Sequence, residues 1–137
     1  MITNDKFILP DGIDEECKEL ILKLNELKGI ETTECCCGHF KQPYRVFFKC
    51  NDFIQLGRLY RCVNKNYSDG QWRIECCCSD TIPTHGFMLR TYEVFETQDE
   101  MTKSVNELIE NIDYWQSPRF DEYFNNSFVE YYYLNFL

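Results

Sequence analysis

The sequence lacks any apolar run that approaches the roughly 18–20 residues of a membrane-spanning helix. It also lacks the basic start and the apolar stretch of a secretory signal near Met1. No Walker loop, Rossmann fingerprint or Ser-His-Asp signature is present. The first two absences predict a soluble protein of the cytoplasm that has no membrane partner.

The composition, with 44% apolar and 27% charged residues in 137 positions, is that of a globular chain and not of a disordered one. A chain of this length fits one domain. We expect a single domain over 1–137, with a core over 14–95 and a helical, aromatic-rich C-terminal extension over 97–137.

Basic residues are scarce outside the middle of the chain. The formal net charge is −9, yet residues 40–90 carry eight basic and four acidic groups. Because the global field repels phosphate, duplex nucleic acid is not an expected partner. The middle segment can still form a local pocket for a small anion; the alternative is that its basic groups are solvated surface positions.

Cysteine is abundant, with nine residues, but its pattern is unlike that of a disulfide scaffold. The count is odd, and two runs of three consecutive cysteines occur. Neighbouring cysteines on a strand point to opposite faces and do not easily bridge each other. We expect free thiols, as in a reducing cytoplasm.

Apolar periodicity predicts an α+β fold of order α-β-β-α-β-β-α-α. Helical spacing favours helices over about 14–28 and 52–65, the second with Asp52 as its N-cap. A capping box of Thr97 and Glu100 predicts the start of a third helix, and Ser117 and Pro118 predict a short fourth helix. β-rich segments lie at 30–37, 44–50, 72–79 and 86–95. The simplest layered arrangement is a four-stranded, mostly antiparallel sheet with helices on one face.

The segment 120–137 contains eight aromatic residues. It has no linker-like composition, so we expect it to dock on the domain or on a second copy. In the second case, Tyr131, Tyr132 and Tyr133 would anchor a homodimer.

The run Cys35-Cys36-Cys37-Gly38-His39 ends the first predicted strand and is the first candidate for function. Gly38 permits a positive φ, so a ligand or another backbone segment can approach closely. Free N–H groups at such a turn can bind an anion. The alternative is that the cysteines are small buried residues and that His39 is a turn residue.

These motifs resemble a group of uncharacterised phage and prophage proteins that share a Ser-Cys-x-Gly-His pattern. Cys36, Gly38 and His39 match that pattern, and Cys35 replaces the serine. The similarity covers about 14–92 and includes, in a later strand, Trp72, Ile74, Glu75 and Asp80. It implies an accessory protein that acts against host defence in the host cell cytoplasm.

The loop is also similar to the Ser-Ser-Cys-Ser-Gly-Arg loop of the wybutosine-synthesis methyltransferase family. That resemblance implies action on tRNA with S-adenosylmethionine. In this chain His39 stands in place of the arginine, and the serines are missing.

The preferred hypothesis is a non-enzymatic binding protein for a small anionic, nucleotide-like ligand. Charge-assisted bonds from arginine would hold a phosphate, and an aromatic ring would stack on a base. The expected ligand-binding residues are Thr32, Thr33, Cys36, Gly38, His39, Arg45, Arg73 and Arg90. One alternative is an acidic inhibitor that binds a host defence protein or another nucleic-acid effector.

Metal binding and cysteine chemistry are further alternatives, although no cofactor is required by the preferred hypothesis. A zinc site would use Cys35, Cys37, Cys76 and Cys78 if the two strands are adjacent, although Cys-x-Cys spacing on strands suits zinc poorly. A small thiol- or methyl-transfer enzyme would instead pair Cys36 or Cys37 with a base, for which the candidates are His39 and His85.

Overall fold

The computed structural model describes residues 7–66, 70–77 and 86–124. Its elements are α1 (Glu15–Asn25), β1 (Ile30–Cys36), β2 (Arg45–Cys50), α2 (Phe53–Val63), β3 (Trp72–Cys77), β4 (Gly86–Thr91), α3 (Gln98–Trp115) and a 3₁₀ helix (Pro118–Phe120). The predicted α+β class and element order are confirmed. Within these ranges no helix is long and apolar enough to cross a membrane.

The four strands form one antiparallel sheet in the order β1-β2-β4-β3. Two hairpins, β1–β2 and β3–β4, therefore join through the pairing of β2 with β4. The strands β1 and β3 lie at opposite edges of the sheet, although both carry three-cysteine runs near their ends.

The core lies on one side of the sheet. Along β2, Val46 and Phe48 are buried, and along β4, Phe87 and Leu89 are buried. These side chains form one cluster with the apolar residues of the helices, which include Leu20, Leu24, Leu56, Leu59, Met101 and Leu108. The opposite side of the sheet, which carries Arg45, Phe47, Lys49, Met88 and Arg90, is called the outer face below.

The helix boundaries follow specific side-chain bonds. α1 ends at Asn25, earlier than expected, and the Asn25 amide group turns toward the sheet. It donates to the Ile21 carbonyl at 2.8 Å and to Thr32 Oγ1 at 2.7 Å. The predicted caps of the next two helices are present: Asp52 accepts from the Gln55 N–H, and Thr97 accepts from the Glu100 N–H.

Arg58 is buried and joins α2 to the end of α3. It donates to the carbonyls of Trp115 at 2.7 Å and Ser117 at 3.3 Å, and it pairs with the Asp121 carboxylate. Its guanidinium lies 4.8 Å from the ring centre of Phe124, which is fully buried. The first part of the aromatic extension thus docks on the domain; residues 125–137 lie outside the described residues.

The one-sided core predicts unequal effects for two neighbouring residues of β4. Leu89→Ala should lower the free energy of unfolding by about 2–5 kcal/mol, because this side chain is fully buried. Met88→Ala, on the outer face, should cost about 1 kcal/mol or less. Urea denaturation measures both values, and equal losses would contradict the one-sided arrangement.

Candidate functional site

The three arginines that were predicted to bind the ligand lie in one line across the outer face. Arg45 of β2 pairs directly with Arg90 of β4, and Arg90 pairs with Arg73 of β3. Paired residues of adjacent antiparallel strands project to the same face, about 4.5–5.5 Å apart at Cβ. We call Arg45, Arg90 and Arg73 the arginine row.

The arginine row places like charges directly opposite each other, which is unfavourable in a sheet. Only Arg73 of the three has a carboxylate partner within 4.0 Å among the described residues, namely Glu75. Arg45 donates to the Pro43 carbonyl at 3.4 Å, and Arg90 donates to its neighbouring carbonyl at Thr91. Two adjacent guanidinium groups therefore have spare hydrogen-bonding capacity.

The arginine row lies at the end of the sheet where the 37–44 connection crosses from β1 to β2. Cys36 is paired with Arg45, so it extends the same line to the β1 edge. Of the three arginines, only Arg45 is therefore directly beside Cys36, whereas Arg73 lies two strands farther away. All three arginines share one face.

The loop after Cys36 has an uncommon backbone. Gly38, His39 and Phe40 have φ values of 86°, 51° and 60°. The Gly38 carbonyl accepts from the N–H groups of Lys41 at 3.0 Å and Gln42 at 3.1 Å. Positive φ at two successive non-glycine residues costs free energy, so the surrounding contacts must hold this turn in place.

Asp14 supplies one of those contacts. It stands at the N-cap position of α1, but its side chain makes no cap hydrogen bond, although a cap typically stabilises a helix by about 1 kcal/mol. Its Oδ2 instead accepts from the Cys37 N–H at 3.1 Å and lies 3.4 Å from His39 Nε2.

The turn is therefore less open to an anion than the pattern suggests. The Cys37 N–H already donates to a carboxylate, and the Gly38 N–H points to Cys36 Sγ at 3.4 Å. Two backbone donors that were expected to be free are thus engaged, and the carboxylate beside them repels a second anion.

Ligand atoms of Asp14, Cys36 and His39 all lie within 4.8 Å of one another. One carboxylate oxygen, one thiol sulfur and one imidazole nitrogen are a donor set that transition metals accept. The His39 side chain is 65% exposed and that of Asp14 is 25% exposed, so the cluster is reached from solvent.

The two threonines that were predicted to bind the ligand lie apart from the arginine row. Thr32 faces α1, where its N–H donates to Asn25 Oδ1 at 3.1 Å. Thr33 lies at an irregularity in the β1–β2 pairing and donates to the Phe47 carbonyl at 3.3 Å. Both hydroxyl groups are used within the fold.

The prediction that four thiolates form a zinc site is wrong, because the fold does not bring together the three of them that the structure describes. Cys35 and Cys37 are at or beside the end of β1, whereas Cys76 lies in β3, and two strands separate them. With strands about 4.8 Å apart, this separation is roughly 14 Å. Cys78 and His85 lie outside the described residues. All eight described cysteines are free thiols.

Two thiols of the first run, Cys35 and Cys37, are not activated as nucleophiles by their surroundings. Burial raises the pKa of Cys37 to about 11 and also raises the pKa of Cys35. Cys37 Sγ lies 3.7 Å from His39 Nδ1, but the thiol is only 3% exposed. A catalytic cysteine requires the opposite combination of low pKa and access.

Sequence reasoning did not single out Asp14, Phe47 or Tyr92. Phe47 has the same strand parity as Arg45 and lies next to it on the outer face, a signal that the sequence contained. Tyr92 is 53% exposed, and the Arg73 guanidinium lies 4.8 Å from its ring centre. The role of Asp14 depends on tertiary contact and has no local signal.

No protein-family model, curated protein or solved structure matches this chain. The resemblances to the phage proteins and to the methyltransferase family stay predictions.

The loop geometry predicts a strong effect of Gly38→Ala. A Cβ at this position would lie 2.0 Å from the Gln42 carbonyl oxygen, so the turn must rebuild. We expect a loss of at least about 2 kcal/mol in the free energy of unfolding. Thermal or urea denaturation measures it.

Gly12→Ala is the matched control, because Gly12 has a similar φ of +84° but no described atom within 4 Å of its added Cβ. It should show only the cost of a left-handed alanine, about 1–2 kcal/mol. If the two substitutions cost the same, the close approach of Gln42 is not what requires glycine.

Proposed function

We propose that the outer face of the sheet binds a small anionic, nucleotide-like ligand, with its phosphate on the arginine row. The observation that carries this proposal is the direct pairing of Arg45 with Arg90, neither of which has a carboxylate partner among the described residues. A bound phosphate would relieve the repulsion between the two guanidinium groups and accept charge-assisted hydrogen bonds from both.

Aromatic rings on both sides of the arginine row support a ligand that also carries a base. Phe47 lies two residues after Arg45 on the same face of β2, a separation of about 6.6 Å along the strand. Beyond Arg73, at the β3 edge where the sheet meets α2, a groove of about 760 Å³ is lined by Tyr60, Lys65 and Tyr92, among others. Its volume accommodates a nucleotide, and base–aromatic stacking is tolerant of base identity.

The proposed site thus differs from the sequence-based one. The phosphate contacts are assigned to arginine side chains and not to the loop amides, and Thr32 and Thr33 have no part in it. Gly38 and His39 shape the adjoining corner. Sequestering a nucleotide-like ligand is a role that suits the counter-defence function implied by the phage resemblance.

Arg45→Gln and Arg90→Gln should each weaken binding of adenosine diphosphate or inorganic pyrophosphate at least tenfold. Each loses a charged hydrogen bond worth about 1.5–3 kcal/mol. Ligand-induced shifts of the melting temperature and calorimetric titration measure this effect. Without ligand, Arg90→Gln should melt at the same temperature as the unaltered chain or slightly higher, because a like-charge neighbour is removed.

Lys49→Gln is the matched control, since it removes one positive charge from the same face of the same strand. It should retain full affinity for both probes. The proposal fails if neither probe binds the unaltered chain, if the two arginine variants bind normally, or if Lys49→Gln loses affinity equally.

A second candidate function is supported by the distribution of acidic residues. The two acidic flanks of the chain supply α1 and α3, which lie on the other side of the sheet from the arginine row. Lys23 joins the two helices through Asp113 at 2.8 Å. Exposed carboxylates on these helices or directly after them are Glu15, Glu19, Glu26, Asp99, Glu100, Glu107, Glu110 and Asp113. Such a surface suits an inhibitor that binds a basic host protein.

Charge reversal separates this candidate from the first. Glu107→Lys combined with Glu110→Lys should abolish binding of poly-lysine, used as a basic probe at 0.15 M salt, because both carboxylates are exposed. Arg45→Gln should leave that binding unchanged. Equal binding by all three proteins in a fluorescence titration would contradict an acidic interaction surface.

A further inference from the structure

We propose that Asp14, Cys36 and His39 form a binding site for one zinc ion or a similar divalent transition metal. The site is independent of the arginine row, although Cys36 lies in line with it. It uses a different donor set from the four cysteines considered from the sequence.

The spacing of the donor atoms suits a metal. Asp14 Oδ2 and His39 Nε2 are 3.4 Å apart, whereas two ligands about 2.0 Å from a tetrahedral zinc ion are roughly 3.3 Å apart. The distance is longer than most N–H···O hydrogen bonds. One ligand atom from each of Asp14, Cys36 and His39 lies within 4.8 Å of the other two, so small rotations of the exposed His39 side chain can complete the set.

The second nitrogen of His39 also has a partner. Nδ1 lies 3.7 Å from Cys37 Sγ, within the range of a weak hydrogen bond to sulfur. If Nδ1 carries the proton, Nε2 and the Asp14 carboxylate are both hydrogen-bond acceptors, and they face each other without a donor between them. A cation bound between the two would remove this repulsion. Metal-binding histidines usually donate their other N–H to a carboxylate, a carbonyl or water, and here a thiol sulfur takes that position.

Two further features favour a metal over a simple surface cluster. Asp14 leaves the N–H groups of its own helix without a side-chain cap and turns to the loop instead. The Gly38 N–H points to Cys36 Sγ at 3.4 Å, so the turn also fixes the position of the sulfur. The sharp turn with positive φ at His39 brings the imidazole to these two groups.

Three protein ligands leave a fourth position for water or an exogenous ligand, which is typical of zinc sites that are not purely structural. The one-thiolate donor set favours zinc or cobalt over magnesium and calcium, which prefer oxygen ligands. No step of the proposed anion binding depends on this ion.

Cobalt(II) titration of the metal-free, reduced full-length protein tests the proposal. We expect one equivalent to bind, with a thiolate-to-cobalt charge-transfer band that zinc abolishes. Cys36→Ser should remove that band, and Asp14→Asn and His39→Asn should each weaken binding at least tenfold. Asn tolerates the positive φ at position 39, so His39→Asn keeps the turn.

The matched controls are Cys35→Ser and Cys76→Ser, which should retain the band and the affinity. Zinc should raise the melting temperature of the unaltered chain but not that of His39→Asn. The proposal is overturned if the unaltered chain binds no metal, if Cys36→Ser keeps the band, or if a control cysteine loses it equally. Arg45→Gln should bind cobalt normally, so this proposal and the proposed anion site fail separately.

Discussion

The buried side chain of Tyr44 holds helix, loop and sheet in one arrangement. Its hydroxyl group donates to the Glu16 carbonyl of α1 at 2.8 Å, and its backbone pairs with Thr91 at the end of β4. Its ring packs edge-on against Trp72 at 5.3 Å. Because Tyr44 points inward, the next residue, Arg45, points outward. The turn before this anchor and the arginine row after it both depend on its position.

The arginines in the basic middle of the chain lie in two different environments. Arg58 is buried inside the fold, where carbonyl oxygens at and just after the end of α3 and the Asp121 carboxylate surround its charge. A buried guanidinium requires such partners, because desolvation of an unpaired charge is costly. Arg45 and Arg90 make few bonds within the described fold and lie beside each other at the surface. The fold therefore uses Arg58 to join two helices and keeps Arg45 and Arg90 at the surface.

Two aspartates at helix N-termini show how tertiary contact redirects a local motif. Asp52 caps its helix by accepting from the Gln55 N–H at 3.0 Å. Asp14 occupies the equivalent position in α1, yet its carboxylate contacts the 37–42 loop, which passes over the start of this helix. A strand-end N–H that lacks a partner in the sheet competes for the same oxygen. The result is a cluster of carboxylate, thiol and imidazole beside the arginine row.

The sequence by itself determined the order of the elements, the caps at Asp52 and Thr97, and the shared face of alternate residues such as Arg45 and Phe47. Each of these depends only on a local pattern: the helical period, the capping residue or the alternation of side chains along a strand. Only the tertiary structure decided the strand order. Pairing β2 with β4 placed Arg90 between the other two arginines of the row and separated the cysteines of β1 from those of β3. The packing of α1 beside β1 brought the Asp14 carboxylate to the loop. These contacts join residues distant in the chain, so they depend on which surfaces bury each other and not on any local pattern.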